Sequence, residues 1–424
     1  MIYRLNQILT WVILTVLCLS LFTFSEPRPV DETDRVRVYT RGVEFDYVSW
    51  MLNAIWTKIQ QGATGTPGYI SREEGSVAVT DYLQLTQQVN QSQDALNRIY
   101  ADASIKDKGA TTAYLRAQIA DLTGKQTALA PIAEAVLQEQ VGEVAAGFGL
   151  TTLGQPIPSI LFHSTPVPDA LIISPRDHIE QTANISLEAD LPLDQQVALE
   201  DRISKGLNVS ALVVPIGGVG VYPTMITQTT DLPWLTSTIA HEWTHNYLEL
   251  RPLGLLYDET PQLRTMNETT ADISGNEIGG EVMRRYYPQL LSGASLPDWN
   301  LISFGHFNPL PAPSTPTFDF NHEMHTTRVT VDALLAAGKV DEAESYMEQR
   351  RQVFVQNGYS VRKLNQAYFA FYGAYADVPG GAAGEDPVGP AVRALRDRSK
   401  SLADFINRIA WMTSFDELKK AVGQ

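Results

Sequence analysis

The stretch from Leu235 to Leu248 constrains this chain more than any other, because residues 241–245 read His-Glu-Trp-Thr-His. Neither glycine nor proline interrupts the stretch, and its apolar residues suit a helix. Residues four apart on a helix share one face, so His241 and His245 point the same way at a separation that one zinc ion bridges. Glu242 lies off that face, where it can act as general base on a water bound to the metal.

A third ligand has to come from elsewhere in the chain, because two histidines leave a zinc ion underfilled. Glu268 follows His245 by twenty-three residues and leads a second stretch of helical character that runs to Ile278. We predict that Glu268 is the carboxylate ligand. Asp272 stands one turn further on the same face, where it can accept the free N–H of a ligand histidine and fix its tautomer.

The two motifs together, H-E-x-x-H and N-E-x-x-x-D, resemble those of the gluzincin zinc peptidases, the thermolysin-like group. The resemblance covers roughly residues 235–280. A metzincin is not indicated, because the segment from Glu249 to Gly254 lacks the H-x-x-G-x-x-H continuation. The resemblance implies a zinc metallopeptidase that uses Zn²⁺ to hydrolyse a peptide or protein. It also implies that Asn267 binds the substrate backbone, although Asn267 could instead cap the second helix.

Gluzincins usually have a late-chain tyrosine or histidine that donates a hydrogen bond to the oxyanion of the reaction. Tyr372 is the first candidate for this catalytic role, because the neighbouring Gly373 could expose its hydroxyl. Tyr375 is a second tyrosine in the same stretch. His322 and His325, one helical turn apart, are the rivals; they could also bind a second metal or be ordinary helix histidines.

Composition excludes several classes of protein. The 424 residues suffice for a large core, as two lobes or one large domain. The chain has 48 acidic and 32 basic residues and a net charge of −16, which argues against nucleic acid as the partner. Cys18 is the single cysteine, so neither an internal disulfide framework nor a cysteine-rich zinc site is available.

The N-terminus contains an apolar run of seventeen residues, 8–24, after a short stub, residues 1–7, that carries Arg4. This length is at the lower end for a membrane span and long for a signal-peptide core. We predict a single-pass anchor, with a cleaved signal as the alternative. Arg4 before the run and acidic sequence after it place the catalytic body outside the cytoplasm.

Residues 25–149 are predicted to form a linker and a helical N-terminal lobe. Gly42 to Gln61 has apolar residues at helical spacing, which predicts an amphipathic helix packed on the body. A second contact with the membrane is the alternative for that helix. Ser76 to Ala101 and Thr111 to Gly147 predict two long helices in an antiparallel hairpin.

Residues 150–290 are predicted to form the catalytic core. Short apolar runs bounded by turn residues predict strands, namely residues 157–162, 170–174 and 212–216, and Leu193 to Leu207 predicts a helix between them. Gly217 to Ile226 directly precedes the histidine helix. This segment resembles the edge strand with which a zincin pairs its substrate, although a glycine-rich turn is the alternative.

Residues 291–424 are predicted to form a helical C-terminal lobe, with two helices hinged at Gly338, an aromatic helix over 361–377 and further helices from Ala391 to Val422. The fold class predicted is therefore a mostly helical α+β protein, whose zincin-like core has a small mixed sheet and flanking helical lobes. The alternatives to a peptidase are a zinc-containing peptide-binding protein of the membrane and a helical scaffold. The oligomeric state is not determined by the sequence.

Overall fold

The computed structural model describes residues 32–64, 70–101, 106–189, 191–291, 318–359, 361–374, 384 and 386–423. The described chain is predominantly helical with two small sheets, which agrees with the predicted α+β class. The helices are α1 (Glu32–Thr40), α2 (Tyr47–Thr64), α3 (Arg72–Ala101), α4 (Lys108–Gly147), α5 (Leu193–Leu207), α6 (Leu232–Glu249), α7 (Pro252–Leu255), α8 (Pro261–Tyr286), α9 (Pro288–Leu291), α10 (Phe320–Ala336), α11 (Val340–Gln356), α12 (Gln366–Tyr372), α13 (Val388–Asp397), α14 (Leu402–Ile409) and α15 (Phe415–Val422). The strands are β1 (Phe162–Ser164), β2 (Asp169–Pro175), β3 (Ala183–Leu187), β4 (Val209–Pro215), β5 (Gly218–Val219) and β6 (Thr224–Ile226).

The predicted membrane segment, residues 8–24, and the stub before it lie outside the described residues. Among the helices that the structure does describe, none combines the length and the apolar character needed to cross a bilayer.

The first sheet has the strand order β3-β2-β4 and is antiparallel throughout. Successive residues of β2 point to opposite faces, as the period of a strand requires. Ala170 and Ile172 face a core shared with α10, α11 and α12, whereas Leu171 and Ile173 face a core shared with α1 and α5. The predicted strands over 170–174 and 212–216 and the predicted helix α5 are confirmed.

The second sheet has the order β1-β6-β5, with β1 parallel and β5 antiparallel to β6. β5 is therefore an edge strand, and it comes shortly before α6 in the chain. The predicted run 157–162 is a strand only from Phe162 onward. The sequence analysis does not predict β3, although Ala183, Ile185 and Leu187 alternate with polar residues, which is the period-2 signal of a strand.

The largest apolar core joins the hairpin of α3 and α4 to α6, α8 and the C-terminal helices α13–α15. Its buried members come from all three predicted segments and include Val79, Leu137, Trp243, Met266, Ile278, Val392, Phe405 and Leu418. Polar contacts reinforce the packing: Tyr287 donates to Gln140 over 2.8 Å, and Arg396 donates to Glu277 over 2.6 Å. The pair α6–α8 is thus held at the centre of the protein.

Two other predictions about helices have different outcomes. The pair α10 and α11, hinged at Gly338 with φ +73°, is confirmed. The aromatic helix predicted over 361–377 is wrong in its extent, because α12 covers only Gln366–Tyr372, where Asn365 caps its first turn by accepting from the Tyr368 N–H.

The prediction that the apolar residues of α2 pack on the body is wrong for most of them. Leu52 and Trp56 are 60% and 62% exposed, whereas Ala54 and Lys58 are buried. The physical reason is an ion pair: the Lys58 ammonium lies 2.5 Å from Glu134 Oε2 on α4, which turns the side of α2 that carries Lys58 and Ala54 inward.

Candidate metal centre

Helix α6 carries both histidines of the pentad. Asp231 caps it by accepting from the Trp234 N–H over 3.0 Å. The helix is buried along nearly its whole length, and within it the four-residue spacing brings His241 Nε2 and His245 Nε2 to 3.1 Å from each other. The two imidazoles therefore share one face, as predicted.

Helix α8 approaches α6 closely because it has glycines where the two helices meet. A Cβ on Gly275 would lie 2.8 Å from the Ser237 carbonyl oxygen and 3.0 Å from His241 Cβ. A Cβ on Gly279 would lie 2.3 Å from Ser237 Oγ. Contacts this short are not tolerated, so these two positions require glycine for α8 to reach the histidines. The signal of this close approach in the sequence is the G-x-x-x-G spacing of Gly275 and Gly279, which the prediction did not use.

Three side chains meet between these helices. Glu268 Oε2 lies 3.6 Å from His241 Nε2 and 3.5 Å from His245 Nε2. A tetrahedral ion with bonds of about 2.0–2.2 Å separates its ligand atoms by roughly 3.3–3.6 Å, close to these spacings. Glu268 Oε2 is buried and accepts no hydrogen bond from the protein. The group His241, His245 and Glu268 could therefore hold a metal ion.

Two further side chains hold the histidines in place. Asp272 Oδ1 lies 2.9 Å from His241 Nδ1, as predicted for a carboxylate that fixes the tautomer. Asn267 Oδ1 lies 2.8 Å from His245 Nδ1, and Asn267 Nδ2 donates to the Leu253 carbonyl over 3.2 Å. If each Nδ1 carries the proton of this hydrogen bond, both Nε2 atoms keep a free lone pair with which they can bind a metal ion.

The structure corrects the interpretation of Asn267. Its predicted alternative as a helix cap is wrong, since α8 begins at Pro261 and its cap is Thr260. Its predicted substrate-binding role stays a prediction: Asn267 lines the cleft over the histidines, although it is largely buried and both amide atoms bond to the protein. Asn267 is also the counterpart of Asp272 for the other histidine.

The charges of this group are strongly coupled. Burial raises the pKa of Glu268, but the charges of His245 and His241 outweigh this effect and hold that pKa well below its usual value. Burial lowers the pKa of His245, and the charge of Glu268 more than reverses the effect. The carboxylate is thus ionised, which is the form that ligates a metal.

Glu242 lies beside the ligand group without belonging to it. A Cβ on Gly218 would lie 2.5 Å from Glu242 Oε1, and a Cβ on Gly220 would lie 3.4 Å from Glu242 Oε2. Because Gly218 and Gly220 have no side chain, the space beside them is free for the Glu242 carboxylate. Burial raises the pKa of Glu242, and the charges of His241 and His245 oppose that change.

A cleft of about 670 Å³ opens over these residues. One wall is the edge strand β5 with its flanking residues, Gly217 to Val221, and another contains Tyr257 and Arg264. The cleft therefore combines an edge strand, the three candidate ligands and Glu242. The single edge strand predicted at Gly217–Ile226 is instead two strands: β5 lies at the edge of its sheet, and β6, after an irregular segment, lies in the middle.

Tyr257 is a residue of this cleft that the sequence analysis does not single out. Its hydroxyl donates a hydrogen bond to Glu268 Oε1 from the segment between α7 and α8. Burial, followed by the charge of Glu268, raises its pKa well above the usual value, so the hydroxyl stays protonated as a donor. The one signal of this residue in the sequence is its position, since Tyr257 lies between the H-E-x-x-H motif and Glu268.

Tyr372 has different surroundings from those predicted. It packs on Tyr368 with ring centroids 4.4 Å apart, and burial raises its pKa to about 12. Its neighbours Phe371 and Ala374 line the cleft, but Tyr372 is not among the described residues that do. The same holds for His322 and His325 on α10, and Tyr375 lies outside the described residues.

Comparisons of the chain with protein-family models, with curated proteins and with solved structures give no match. What the site does has therefore to be argued from its residues and their geometry.

Proposed function

We propose that this protein is a zinc metallopeptidase of the gluzincin type, with a zincin-like core, that hydrolyses a peptide or protein outside the cytoplasm. One observation carries the proposal. A buried carboxylate oxygen without a hydrogen-bond partner stands at ligand spacing from two imidazole nitrogens, and a second carboxylate, Glu242, lies next to them in the same cleft. Two imidazoles, one carboxylate and an open fourth position are the ligand set of catalytic zinc.

His241, His245 and Glu268 would hold the metal. Zn²⁺ bound there supplies a Lewis acid for the scissile carbonyl and lowers the pKa of a coordinated water toward neutrality. The Glu242 carboxylate accepts the proton of the attacking water and returns it to the leaving amine. Glu242 is not one of the metal ligands in this arrangement. A protein that only binds peptides would not need a general base at this position.

Two parts of the cleft wall complete the proposed mechanism. The backbone of β5, at the edge of its sheet, pairs with an extended substrate chain. The Tyr257 hydroxyl takes the role of oxyanion donor in place of the Tyr372 predicted from the sequence. Its single proton, which is donated to Glu268 Oε1 in this structure, turns from that carboxylate to the developing oxyanion.

The test is a cleavage assay of the purified full chain against a peptide library. We expect cleavage that a zinc chelator removes and added zinc restores, with turnover lowered about 10²–10⁴-fold in Glu242→Gln, because an amide cannot accept the proton. The variant should keep its fold and its zinc. A wild-type protein that contains zinc, binds library peptides and cleaves none would be a binding protein, and the proposal would be wrong.

A further inference from the structure

Helix α2 turns its one charged residue toward the protein, on the same side as the buried Ala54, and turns five large apolar residues to the exterior. Lys58 is its only charged residue and is 8% exposed, with the ammonium 2.5 Å from Glu134 Oε2. Gln61 Nε2 donates to the same oxygen over 2.9 Å. A helix on the surface of a water-soluble body has the opposite orientation, with charged residues outside.

The outward side of α2 is a continuous apolar stripe, here called the α2 face. Its five residues follow the spacing i, i+4, i+7, i+8 and i+11, which keeps them on one side of a helix. They are 66%, 60%, 37%, 62% and 59% exposed, in the order Val48, Leu52, Ile55, Trp56 and Ile59. Exposed apolar surface of this kind marks contact with another protein or with a membrane.

We propose that the α2 face rests on the surface of a phospholipid bilayer, as an interfacial helix that does not cross it. The position of α2 in the chain indicates that a bilayer, and not another protein, covers this face. The apolar run 8–24 is predicted to enter a bilayer, and only residues 25–31 separate it from α1 at Glu32. Seven residues span at most about 25 Å, so a body tethered in this way stays beside the bilayer.

The chemistry of the α2 face agrees with that occupant. Trp56 is suited to the interfacial zone, where its ring is buried among lipid and its N–H reaches water. α2 is among the described helices that lack the length and apolar character to span a bilayer. Since the single lysine of α2 is turned inward, the contact depends on apolar burial and needs neither anionic lipid nor low salt.

This contact has a consequence for the candidate metal centre. Tyr47, the first residue of α2, lines the cleft, and its hydroxyl lies 2.7 Å from Ser186 Oγ on β3. A bilayer under the α2 face would therefore hold the cleft close to the membrane surface. The membrane contact itself does not depend on the proposed peptidase activity.

The experiment uses two exposed tryptophans of matched exposure. Trp56 is 62% exposed on α2, and Trp411 is 65% exposed among the C-terminal helices. The full chain with Cys18→Ser has no other cysteine, so Trp56→Cys and Trp411→Cys each take one environment-sensitive fluorophore. Each protein is reconstituted in phosphatidylcholine vesicles, with and without lipid that carries a nitroxide near the head of its acyl chain, and is titrated with iodide.

We expect the probe of Trp56→Cys to be quenched several-fold more by the nitroxide lipid than that of Trp411→Cys, and several-fold less by iodide, at low and at high salt. Equal iodide quenching at both positions would overturn the proposal. Protection from iodide without quenching by the nitroxide would also overturn it, since protein, from this chain or a second copy, would then cover the face. A chain that fails to float with the vesicles would overturn it as well.

Discussion

Two buried clusters in this protein combine a glutamate with histidine, and they differ in how far the protein itself satisfies the carboxylate. Glu134 Oε1 lies 2.9 Å from His163 Nδ1 and accepts from the Ser164 N–H, while Oε2 accepts from Lys58 and Gln61. Glu268 is as deeply buried, yet its Oε2 accepts no hydrogen bond and faces two imidazole nitrogens.

The difference distinguishes a cluster suited to stabilising the fold from a cluster suited to holding a ligand. A buried carboxylate with a full set of donors joins parts of the fold, here α2, α4 and β1. A buried carboxylate with an orphaned oxygen costs free energy unless a ligand compensates it. The comparison therefore favours a structural role for Glu134 and supports the proposed ligand role of Glu268, and substitutions at and around the two sites can separate these roles.

The largest expected effect is on stability at the satisfied cluster. Glu134→Ala leaves the buried Lys58 ammonium without its charged partner, so we expect the free energy of unfolding to fall by about 3–5 kcal/mol. Urea denaturation measures the change. Glu139→Ala, at an exposed position of the same helix, is the control and should change the free energy of unfolding only slightly. Turnover and zinc content of the folded protein should be intact, and a loss of either would break the separation of roles.

The same cluster predicts a pH dependence. Burial opposes ionisation of Glu134, but the hydrogen bond from His163 and the charge of Lys58 lower its pKa from 4.5 to about 2. A pKa lowered on folding stabilises the protein above the unfolded pKa, and this stabilisation is lost as the pH falls toward the folded pKa. Between pH 4.5 and about 2, wild type should therefore lose more stability than Glu134→Gln. Parallel curves for the two proteins would contradict the assignment.

The second effect concerns the two tyrosines. Tyr257→Phe removes a hydroxyl that contacts Glu268, and we expect kcat to fall by about 10²–10³ at saturating zinc with little change in KM. Tyr372→Phe is the matched control and should leave kcat near that of wild type. If Tyr257→Phe weakens zinc binding alone, the hydroxyl only supports the ligand, and the oxyanion donor lies elsewhere.

The third effect concerns the room left for Glu242. Gly218→Ala places a methyl group 2.5 Å from Glu242 Oε1, so the carboxylate has to move. A displacement of about 1 Å typically costs on the order of 10² in rate, and we expect that loss in kcat with zinc retained. Gly124→Ala, where an added Cβ meets nothing within 4 Å, is the control. Full activity in Gly218→Ala would show that Glu242 does not work from this position.

The smallest effect is on metal affinity. Asp272→Ala and Asn267→Ala each remove the partner of one histidine Nδ1, and we expect zinc affinity to fall by about 10–100-fold in each. Competition with a chromophoric chelator measures it. If Asn267→Ala instead raises KM and leaves zinc affinity unchanged, the substrate-binding role predicted from the sequence is supported.

Local spacing explains what the sequence could predict. His241, Glu242 and His245 have fixed relations within one helix, and Glu268 and Asp272 have them within another, so periodicity alone places each set. The regular helices α5, α10 and α11 were predictable for the same reason.

Tertiary packing explains what the sequence could not predict. Tyr257 reaches Glu268 from an irregular segment, and the fit of Gly275 against Ser237 exists only once α8 lies on α6. The orientation of α2 depends on Glu134, seventy-six residues from Lys58, and no helical period encodes that contact.

The most direct test of the central claim is the zinc content of three purified full-length proteins: wild type, Glu268→Gln and Glu134→Gln. Each variant changes one buried glutamate to its neutral isostere. We predict one zinc ion per chain in wild type and in folded Glu134→Gln, and almost none in folded Glu268→Gln after dialysis. Wild type without stoichiometric zinc, or equal zinc in the two variants, would contradict the assignment of His241, His245 and Glu268 as a zinc site.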